Sequence, residues 1–311
     1  MLSGILNAFK PKGPTSHDVV DEIRRKTGIK KVGHAGTLDP FAKGVLVVGV
    51  GRKATRILDL LKGKKKIYWV KMRLGIVTET FDITGQVVEE NECNVDFESV
   101  KSAVEKFIGE YDQVPPAYSA RKYKGKKLYE LARKGKIIRL PPKRVRIYKI
   151  WDLEFDFPYV SFRVETSPGT YVRSLCMDIG YELGCGATAV DLVREAVGEF
   201  KLEDSLNPFE ASPKKIEENL IPIEKVLGNL PGIELKKEAV KRILNGSHIR
   251  VSYIDKVLGE FEKGEILRVI WNRKIIALAK SERTSKFLKT LLKLGRDERV
   301  AKLEKVLGES S

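Results

Sequence analysis

"GHAGTLDPFAKGVLVVGVG", residues 33–51, joins a glycine-rich loop to the apolar run VLVVGV. The run predicts a buried strand, and the glycines before it allow sharp turns and the close approach of another molecule. Asp39 is the single acid of this stretch, and Pro40 keeps the Asp39 backbone out of the helical conformation. A constrained loop anchored by a buried strand is a suitable support for a catalytic carboxylate. An aspartate beside a proline is also a common turn residue, so the pattern is compatible with both roles.

Regular elements are predicted on both sides of the loop. Residues 15–28 read as a helix that Thr15 or Ser16 caps and Gly28 ends. The alternation at 66–74 predicts a strand with Tyr68 on its apolar face. Further patterns predict a short helix with Ala54, Ile57, Leu58 and Leu61 on one face, a helix over 97–108 with Phe97, Val100, Val104, Phe107 and Ile108 on one face, strands at 144–155 and 159–166, and a helix from 172 to Gly184.

A change of composition near Pro231-Gly232 divides the chain into predicted domains 1–231 and 232–311. In the second domain a helix at 237–246 precedes two alternating strands, ILRVIW and KIIALAK, that flank Asn272-Arg273. This pattern predicts a small β-rich domain with a basic C-terminal tail. Because helices and strands follow each other in mixed order throughout the chain, the predicted class is α+β.

The chain is strongly basic. Its 311 residues carry 58 Lys and Arg against 42 Asp and Glu, a formal net charge of +16. Residues 121–149 contain 13 basic residues and one acid, Glu130, interleaved with tyrosines. Paired prolines bound the wider tract 113–149, which predicts an excursion from the core. A charge run is commonly a solvated face, but a run almost free of acids favours a polyanion as the partner.

Composition argues against several other classes of protein. The sequence has no apolar run of membrane-spanning length, and its N-terminal residues lack the layout of a signal peptide, so we expect a cytoplasmic protein without a membrane role. Cys93, Cys176 and Cys185 are too few and too scattered for a zinc site. We expect all three to be reduced thiols with structural roles. The three histidines are far apart in sequence, which argues against a histidine-rich metal site.

Three further side chains are candidates for a functional site. Arg173 follows a Pro-Gly turn at the start of a packed helix, where the helix dipole favours anions rather than cations. It is either a surface charge or a partner that favours the ionised form of Asp39. Tyr68 is either core, as its phase in the strand suggests, or a stacking platform for a base. His34 is either a structural histidine or a contact to nucleic acid.

Five ordered stretches resemble pseudouridine synthases of the TruB family. Residues 33–51 resemble the catalytic motif of the family, and KPKGPTSHDVV at 10–20 resembles its N-terminal motif. KKIYWVKMRLG, SPGTYVRSLCMDIG and LGCGATAVDLVREAVG resemble three more motifs in the order of the family. The proline-bounded tract resembles the bacterial branch that acts on tRNA. The resemblance covers nearly the whole chain.

The resemblance implies a sheet-based pseudouridine synthase domain that isomerises uridine 55 in the T-loop of tRNA without metal or cofactor. It implies that Asp39 is the catalytic aspartate, which attacks the sugar, attacks the base or takes a sugar proton. Tyr68 matches the tyrosine that stacks on the flipped uracil, and Arg173 matches the arginine paired with the aspartate. His34 matches the histidine that enters the T-loop. Asp82 and Tyr171 match further active-site positions, and Lys10 with Pro11 matches a supporting motif. We assign Asp82, Tyr171 and Lys10 to substrate or RNA binding.

The resemblance also describes the RNA contacts outside the centre. The basic tract becomes an inserted RNA-binding subdomain, and the C-terminal segment resembles the small β-barrel-like RNA-binding domain called PUA. The expected partner is the T-arm of tRNA, bound by a monomer with no obligatory protein partner. The candidate RNA-contact residues of the tract are Arg121, Lys122, Lys124, Lys126 and Arg144.

Two alternatives remain open from the sequence. One is the guide-RNA-dependent relative of archaea and eukaryotes, which shares the aspartate motif, although the long proline-bounded insert argues against it. The other is an RNA-binding or RNA-folding protein whose main role does not depend on chemistry. An Asp39 variant that binds tRNA but makes no pseudouridine separates binding from chemistry.

Overall fold

The computed structural model describes residues 2–118, 122–123, 125–128, 138 and 140–308. The chain divides into two compact units. The larger unit contains Leu6–Val48 and Leu58–Asn219, and the smaller unit contains Met1–Ile5, Gly49–Ile57 and Leu220–Ser311. The smaller unit thus combines three stretches of the chain, whereas the sequence pattern suggests one cut near Pro231. Within the described residues, no helix is long and apolar enough to cross a membrane.

Short strands and helices alternate up to residue 219. The strands are β1 (Gly4–Lys10), β2 (Val32–His34), β3 (Lys43–Val50), β4 (Lys66–Leu74), β5 (Ile76–Thr78), β6 (Val87–Glu90), β7 (Gly109–Gln113), β8 (Lys122–Tyr123), β9 (Lys126–Lys127), β10 (Lys143–Asp156), β11 (Tyr159–Thr166), β12 (Ala187–Val197) and β13 (Phe200–Lys201). The helices are α1 (Ser16–Thr27), α2 (Arg52–Arg56), α3 (Leu58–Lys62), α4 (Phe97–Glu105), α5 (Val172–Glu182) and α6 (Pro213–Glu218), with a 3₁₀ turn at Leu202–Asp204.

The larger unit is built on a nine-stranded sheet in the order β1-β3-β12-β4-β11-β10-β7, to which β2 and β13 are added beside β3 and β12. β3 and β12 are parallel. The ladders from β12 through β4, β11 and β10 to β7 are antiparallel. A mixed sheet with helices packed on it confirms the predicted α+β class.

The central strand β4 begins and ends where the alternation predicts. Tyr68, Val70 and Met72 are buried, and the residues between them are partly exposed. Val70 and Met72 belong to one apolar core with Phe162 of β11 and Leu175 of α5. The strand therefore sits in the middle of the core, with Tyr68 near one of its ends.

Helix α1 also begins and ends as its caps predict. Thr15, rather than Ser16, is the N-cap: its side chain accepts a hydrogen bond from Asp18 N, and the Asp18 side chain accepts one from Thr15 N. Gly28 ends the helix in the left-handed conformation, with φ of 71°. Because Thr15 caps the helix, the Ser16 hydroxyl can form its hydrogen bonds at the functional site instead.

Helix α4 is shorter than predicted. It ends at Glu105, and Phe97 and Ile108 are exposed rather than buried. Val100 and Val104 carry the apolar face instead. The prediction fails at the ends because Ile108 follows the last helical turn and is out of phase with it, and Phe97 lies at the open first turn.

The basic tract leaves the sheet and returns to it at one place. The last residue of β7, Gln113, pairs with the first residue of β10, Lys143. Residues 143–149, which the sequence assigns to the excursion, are therefore part of β10, because their alternating apolar residues complete the ladder with β7. Between the two strands, β8 and β9 form a small antiparallel hairpin.

The prediction that all three cysteines are reduced is wrong. Cys93 and Cys185 form a disulfide, and Cys176 is a buried free thiol. The two bonded residues are 92 positions apart in sequence, with Cα atoms 5.3 Å apart. Backbone hydrogen bonds of Gly75 bring them together, because Gly75 O accepts from Asn91 N and Gly75 N donates to Gly186 O. Sequence spacing carries no sign of such a tertiary contact.

The smaller unit has its own six-stranded sheet, built from β14 (Gly232–Leu235), β15 (Ile249–Arg250), β16 (Ile254–Leu258), β17 (Ile266–Trp271), β18 (Lys274–Ser281) and β19 (Arg299–Val306) in the order β15-β19-β18-β17-β14-β16. The turn at Asn272-Arg273, with φ of 48° and 61°, joins β17 to β18 as predicted. The predicted basic tail is instead a helix and a strand of the sheet, since apolar residues such as Leu288 and Val300 anchor both in the core. Besides α2, the smaller unit contains the helices α7 (Ile223–Val226), α8 (Lys237–Leu244) and α9 (Ser285–Leu294) and a 3₁₀ turn (Val251–Tyr253).

Candidate active site

A cleft of about 580 Å³ opens in the larger unit. Its walls come from the loop after β2, from β4 and β12, and from the turn that leads into α5. Five of the side chains predicted from the sequence line it: His34, Asp39, Tyr68, Tyr171 and Arg173. The fold therefore brings to one place residues that are scattered over more than a hundred positions in the chain.

The N-terminal motif holds the loop that carries Asp39. Ser16 Oγ donates to Leu38 O at 3.0 Å and accepts from Leu38 N at 2.8 Å. On the other side of Asp39, Pro40 O accepts from Gly13 N at 2.8 Å. Both neighbours of Asp39 are thus fixed to the segment 13–16, and the Asp39 side chain remains one-third exposed, at 33 %.

Lys10 lies behind the loop rather than in the cleft. Its side chain is fully buried, and Nζ donates to the carbonyl oxygens of Pro11 and Pro14 at 2.8 Å each, with Pro40 O at 3.5 Å. Burial lowers the pKa of Lys10 to about 8, while the charge of Asp39 acts in the opposite direction. The predicted RNA contact of Lys10 does not fit this position, because the amino group is enclosed and bonded to the protein. Lys10 instead bonds to the carbonyl groups of Pro11, Pro14 and Pro40, on the segments next to Asp39.

Arg194 holds the same loop from the β12 side. It is fully buried, and its guanidinium donates to Val45 O at 2.7 Å, Thr37 O at 3.1 Å and Gly36 O at 3.2 Å. The sequence interpretation missed this residue. An arginine within the apolar strand ATAVDLVREAV was the available signal, because a charge on a buried strand needs partners.

Gly44 allows the close approach of the strand that carries Arg194. Its φ is +120°, and a Cβ atom built on it lies 2.3 Å from Arg194 O. Gly44 pairs directly with Arg194 in the parallel ladder of β3 and β12. A side chain at residue 44 would force these strands apart.

Arg173 and Asp39 are brought together. Arg173 Nε lies 2.9 Å from Asp39 Oδ2, as an ion pair rather than an aligned hydrogen bond. Arg173 Nη1 donates to Asp82 Oδ2 at 2.9 Å and to Thr80 O at 2.7 Å, and Nη2 donates to Tyr118 O at 3.0 Å. The guanidinium is buried and joins one carboxylate of the cleft to one carboxylate of the interior.

Asp82 contacts the Arg173 guanidinium from the interior of the unit. Its carboxylate is buried, and Oδ1 accepts hydrogen bonds from Thr80 Oγ1 and Thr84 N at 3.0 Å each. Asp82 does not line the cleft. An RNA contact does not fit these observations, since the carboxylate is enclosed and bonded to Arg173 and two threonines. The Asp82 carboxylate therefore contacts Arg173 rather than the cleft.

Tyr68 and His34 complete the walls. Tyr68 belongs to the apolar core and also lines the cleft, so its core role is confirmed and its role as a stacking platform stays a prediction. Burial, followed by the charge of Arg194, lowers the pKa of His34. The imidazole is therefore neutral at pH 7, and it offers a flat ring to the cleft.

The cleft is basic. Among the described residues that line it, Asp39 is the only acid, against Lys62, Lys66, Lys143 and the two arginines already described. Lys66 is buried on β4, and burial, reinforced by Arg194, lowers its pKa to about 8. The sequence interpretation missed Lys62 and Lys66, although Lys66 lies in phase with the buried face of its strand, and it counted Lys143 only as part of the basic tract. Such a cleft suits a polyanion with one reacting centre beside Asp39.

The remaining predicted RNA contacts are spread over the basic tract. Lys122 and Lys126 lie on β8 and β9, while Arg121 and Lys124 fall outside the described residues. Arg144 is exposed on β10, where it pairs with Glu110 and Asp112 at 3.4 and 3.1 Å and does not line the cleft. The roles of these five residues in RNA binding stay predictions.

Known proteins are similar in sequence to this chain over nearly its full length. A family described as "TruB family pseudouridylate synthase (N terminal domain)" matches residues 24–172. The chain is 62% identical to tRNA pseudouridine synthase B of Thermotoga maritima, over 98% of this chain and 99% of the relative. It is 54% identical to the protein of the same name in Thermosipho melanesiensis, over 99% and 100%. The chain belongs to the TruB family of pseudouridine synthases.

Solved structures share the fold with this TruB-family chain. One is described as an H/ACA RNP bound to a substrate RNA containing 2'-deoxyuridine, with a TM-score of 0.73 and 27% identity over 98% of this chain and 85% of that chain. Another is a Cbf5-Nop10-Gar1 complex, with a TM-score of 0.74 and 28% identity over 98% and 85%. Both share the pseudouridine synthase fold with this chain.

Replacing Gly44 by alanine tests the contact between the loop and β12. Gly109→Ala is a matched control, because Gly109 also has a positive φ, +113°, but nothing lies within 4 Å of its added Cβ. Both variants carry backbone strain of about 1–3 kcal/mol, and only Gly44→Ala adds a collision with Arg194 O. We expect the free energy of unfolding of Gly44→Ala, measured in urea, to fall about 2 kcal/mol further than that of the control. Equal losses would show that the strands tolerate the side chain.

The lowered pKa of Lys66 predicts a pH-dependent stability. In the folded state Lys66 releases its proton near pH 8, against 10.5 in the unfolded chain, so the unfolded state binds more protons between these values. The free energy of unfolding of the wild type should therefore rise relative to Lys66→Met between pH 8 and 10.5, and their difference should be flat below pH 7. Urea unfolding from pH 6 to 10 measures it, with the exposed Lys64→Met as control. A constant difference between wild type and Lys66→Met contradicts the prediction.

Proposed function

We propose that this protein isomerises uridine 55 in the T-loop of tRNA to pseudouridine. The observation that carries the proposal is a single carboxylate, Asp39, paired with Arg173 in a basic cleft that Tyr68 lines. A relative with 62% identity over nearly the whole length bears the name tRNA pseudouridine synthase B. The cleft and the name point to the same class of substrate, a uridine within a polyanion.

The reaction needs no electron acceptor. The bond between the sugar C1′ and the base N1 breaks, the uracil turns, and C1′ forms a bond to C5, which loses its proton while N1 regains one. Atoms and electrons balance within substrate and solvent, so the chemistry is redox-neutral. Three steps are open to Asp39: attack on C1′, attack on the base, or removal of a sugar proton. Each of them uses the Asp39 carboxylate, and the Arg173 guanidinium lies 2.9 Å from its Oδ2 atom.

The other residues of the cleft bind and orient the nucleotide. The Tyr68 ring stacks on the uracil, and its hydroxyl can assist removal of the C5 proton. The neutral His34 ring fills space that the flipped bases leave in the T-loop. Flipping costs a few kcal/mol, which contacts between phosphates and the cleft lysines offset. Tyr171 closes the cleft beside Arg173.

We propose that the enzyme acts on tRNA as a cytoplasmic monomer, with no guide RNA and no obligatory protein partner. The solved neighbours are ribonucleoprotein or multi-protein complexes, but they share 27–28% identity with this chain. The relatives named for tRNA share 54–62% over almost their full length, which favours the stand-alone activity. The basic insert between β7 and β10 supports the same choice.

We further propose that the smaller unit binds RNA as a PUA-like domain. Its support is its own compact sheet together with basic side chains beside two aromatic rings, of which Phe287 is exposed and Tyr253 is partly buried. The Arg242 guanidinium lies 5.7 Å from the centre of the Tyr253 ring, and Arg283 lies 5.9 Å from that of Phe287. Such cation–aromatic pairs present both a charge for phosphate and a face for stacking.

Asp39→Asn tests the chemical role. With tRNA transcripts tritiated at C5 of uridine, the wild type should release tritium in EDTA without any other addition, because its own side chains supply the chemistry. Asp39→Asn should release it at least about 100-fold more slowly, since the amide cannot act as base or nucleophile. Its affinity for tRNA, measured by filter binding, should stay near that of the wild type.

A transcript without the T-arm is the substrate control and should release nothing. Full turnover by Asp39→Asn would refute the assignment of Asp39. Release by the wild type only after a guide RNA is added would refute the stand-alone proposal. Tight binding without release from any transcript would favour an RNA-binding protein.

Neutralising the insert tests its contact with phosphate. The variant changes Arg121, Lys122, Lys124 and Lys126 to glutamine, and the control changes four exposed lysines elsewhere, Lys101, Lys201, Lys214 and Lys215. Each lost phosphate contact should reduce the log–log slope of tRNA affinity against salt by about 0.9 on duplex and about 0.7 on single strands. Filter binding at several salt concentrations measures the slope. Equal slopes in variant and control would mean that the insert is only solvated.

A further inference from the structure

The segment that leads into the basic insert is hydrogen-bonded to the start of α5. Ser174 Oγ donates to Val114 O at 3.0 Å, and Arg173 Nη2 donates to Tyr118 O at the same distance. Gln113, the last residue of β7, contacts Tyr171. Residues 113–118 therefore contact three positions of the turn and helix that carry the cleft residues Tyr171 and Arg173.

The side-chain amide of Gln113 has one orientation that satisfies its partners. Its oxygen accepts from Tyr171 N at 2.7 Å, and its nitrogen donates to Tyr171 O at 3.0 Å. The second N–H of the amide donates to the Tyr111 hydroxyl, which in turn bonds to Asp178. Gln113 is buried, with 1% of its surface exposed, so each of these hydrogen bonds replaces one to water.

The N-terminus of α5 needs a hydrogen-bond partner from outside the helix. Tyr171 is its N-cap, and no side chain of the helix caps it. The first N–H groups of a helix have no intrahelical acceptor and require one from elsewhere. Gln113 supplies both an acceptor and a donor to the Tyr171 main chain. Since Arg173 follows two residues later, the place of its guanidinium against Asp39 depends on this attachment.

We propose that Gln113 is a positioning residue for the isomerisation: by holding the main chain of Tyr171 at the start of α5, it sets Arg173 against Asp39. The inference rests on the proposed function and deepens it. Gln113 does not line the cleft, so its effect on the reaction passes through α5. It should therefore change the rate of the chemical step and leave tRNA affinity unchanged.

Gln113→Met tests the hydrogen bonds at nearly constant side-chain length. Methionine fills the site but can neither accept from Tyr171 N nor donate to Tyr171 O. We expect the single-turnover rate of pseudouridine formation to fall about 10- to 100-fold, because misplacement by a fraction of an ångström costs rates of this size. The dissociation constant for tRNA should stay within about twofold of the wild type. Circular dichroism at the assay temperature verifies that the variant is folded.

Gln113→Glu supplies a readout that a merely structural role does not move. The protonated acid keeps an acceptor for Tyr171 N and one O–H donor, whereas the ionised acid repels Tyr171 O. The ratio of the variant rate to the wild-type rate should rise as pH falls through the titration of the new carboxyl group. Tyr111, Asp178 and Lys143 surround this site, and burial raises the pKa of Asp178 to about 6. The same groups are present in the wild type, so the ratio of the two rates removes their own contribution.

Asn219→Asp is the matched control, because it makes the same change from amide to acid on an exposed residue at the end of α6. Its rate ratio to the wild type should be close to one at every pH. The role of Gln113 is overturned if Gln113→Met reacts at the wild-type rate, if it loses only tRNA affinity, or if the ratio for Gln113→Glu does not change with pH. Absence of pseudouridine in the wild-type reaction overturns the proposed function itself, and this role with it.

Discussion

The site depends on the two ion pairs that the buried Arg173 guanidinium forms with Asp39 and Asp82. The guanidinium lies between Asp39, which faces the cleft, and Asp82, which is enclosed. Breaking a buried pair leaves an uncompensated charge and costs about 3–5 kcal/mol, so the three groups must come together as the chain folds. They lie on three different parts of the larger unit: the loop after β2, the turn after β5 and the start of α5. Packing of the sheet and formation of the site are therefore one event.

Backbone carbonyl groups make this basic interior possible. Lys10, Lys66 and Arg194 are buried, and each donates to two or more carbonyl oxygens of loops or strand ends. The bonds of Lys10 and Arg194 go to the backbone around the Asp39 loop, and those of Lys66 go to Lys62 and Lys64 at the end of α3. They also fix positive charge beside the place where a polyanion binds. Burial still disfavours the charged form, which is why the pKa values of both lysines are lowered to about 8.

Elements with a local cause could be predicted from the sequence. The Thr15–Asp18 capping box determines where α1 begins, and the alternation around Tyr68 determines β4, because caps and periodicity act within a few residues. The ends of α4 and the pairing of Cys93 with Cys185 could not be predicted in this way. They depend on where the chain leaves the sheet and on which loops meet at its edge, and no short stretch encodes either.

The candidate site, like the fold, could be predicted from the sequence only in part. The sequence by itself determined the type of chemistry: one constrained carboxylate in a glycine loop, an arginine at a helix start, a tyrosine on a strand and an excess of basic residues. Only the tertiary structure decided which groups touch. It placed Arg173 against Asp39, turned Lys10 and Asp82 inward as supports, and brought in Arg194 and Gln113. The physical reason is that ion pairs and buried hydrogen bonds act over about 3 Å in space, whereas their partners lie far apart in sequence.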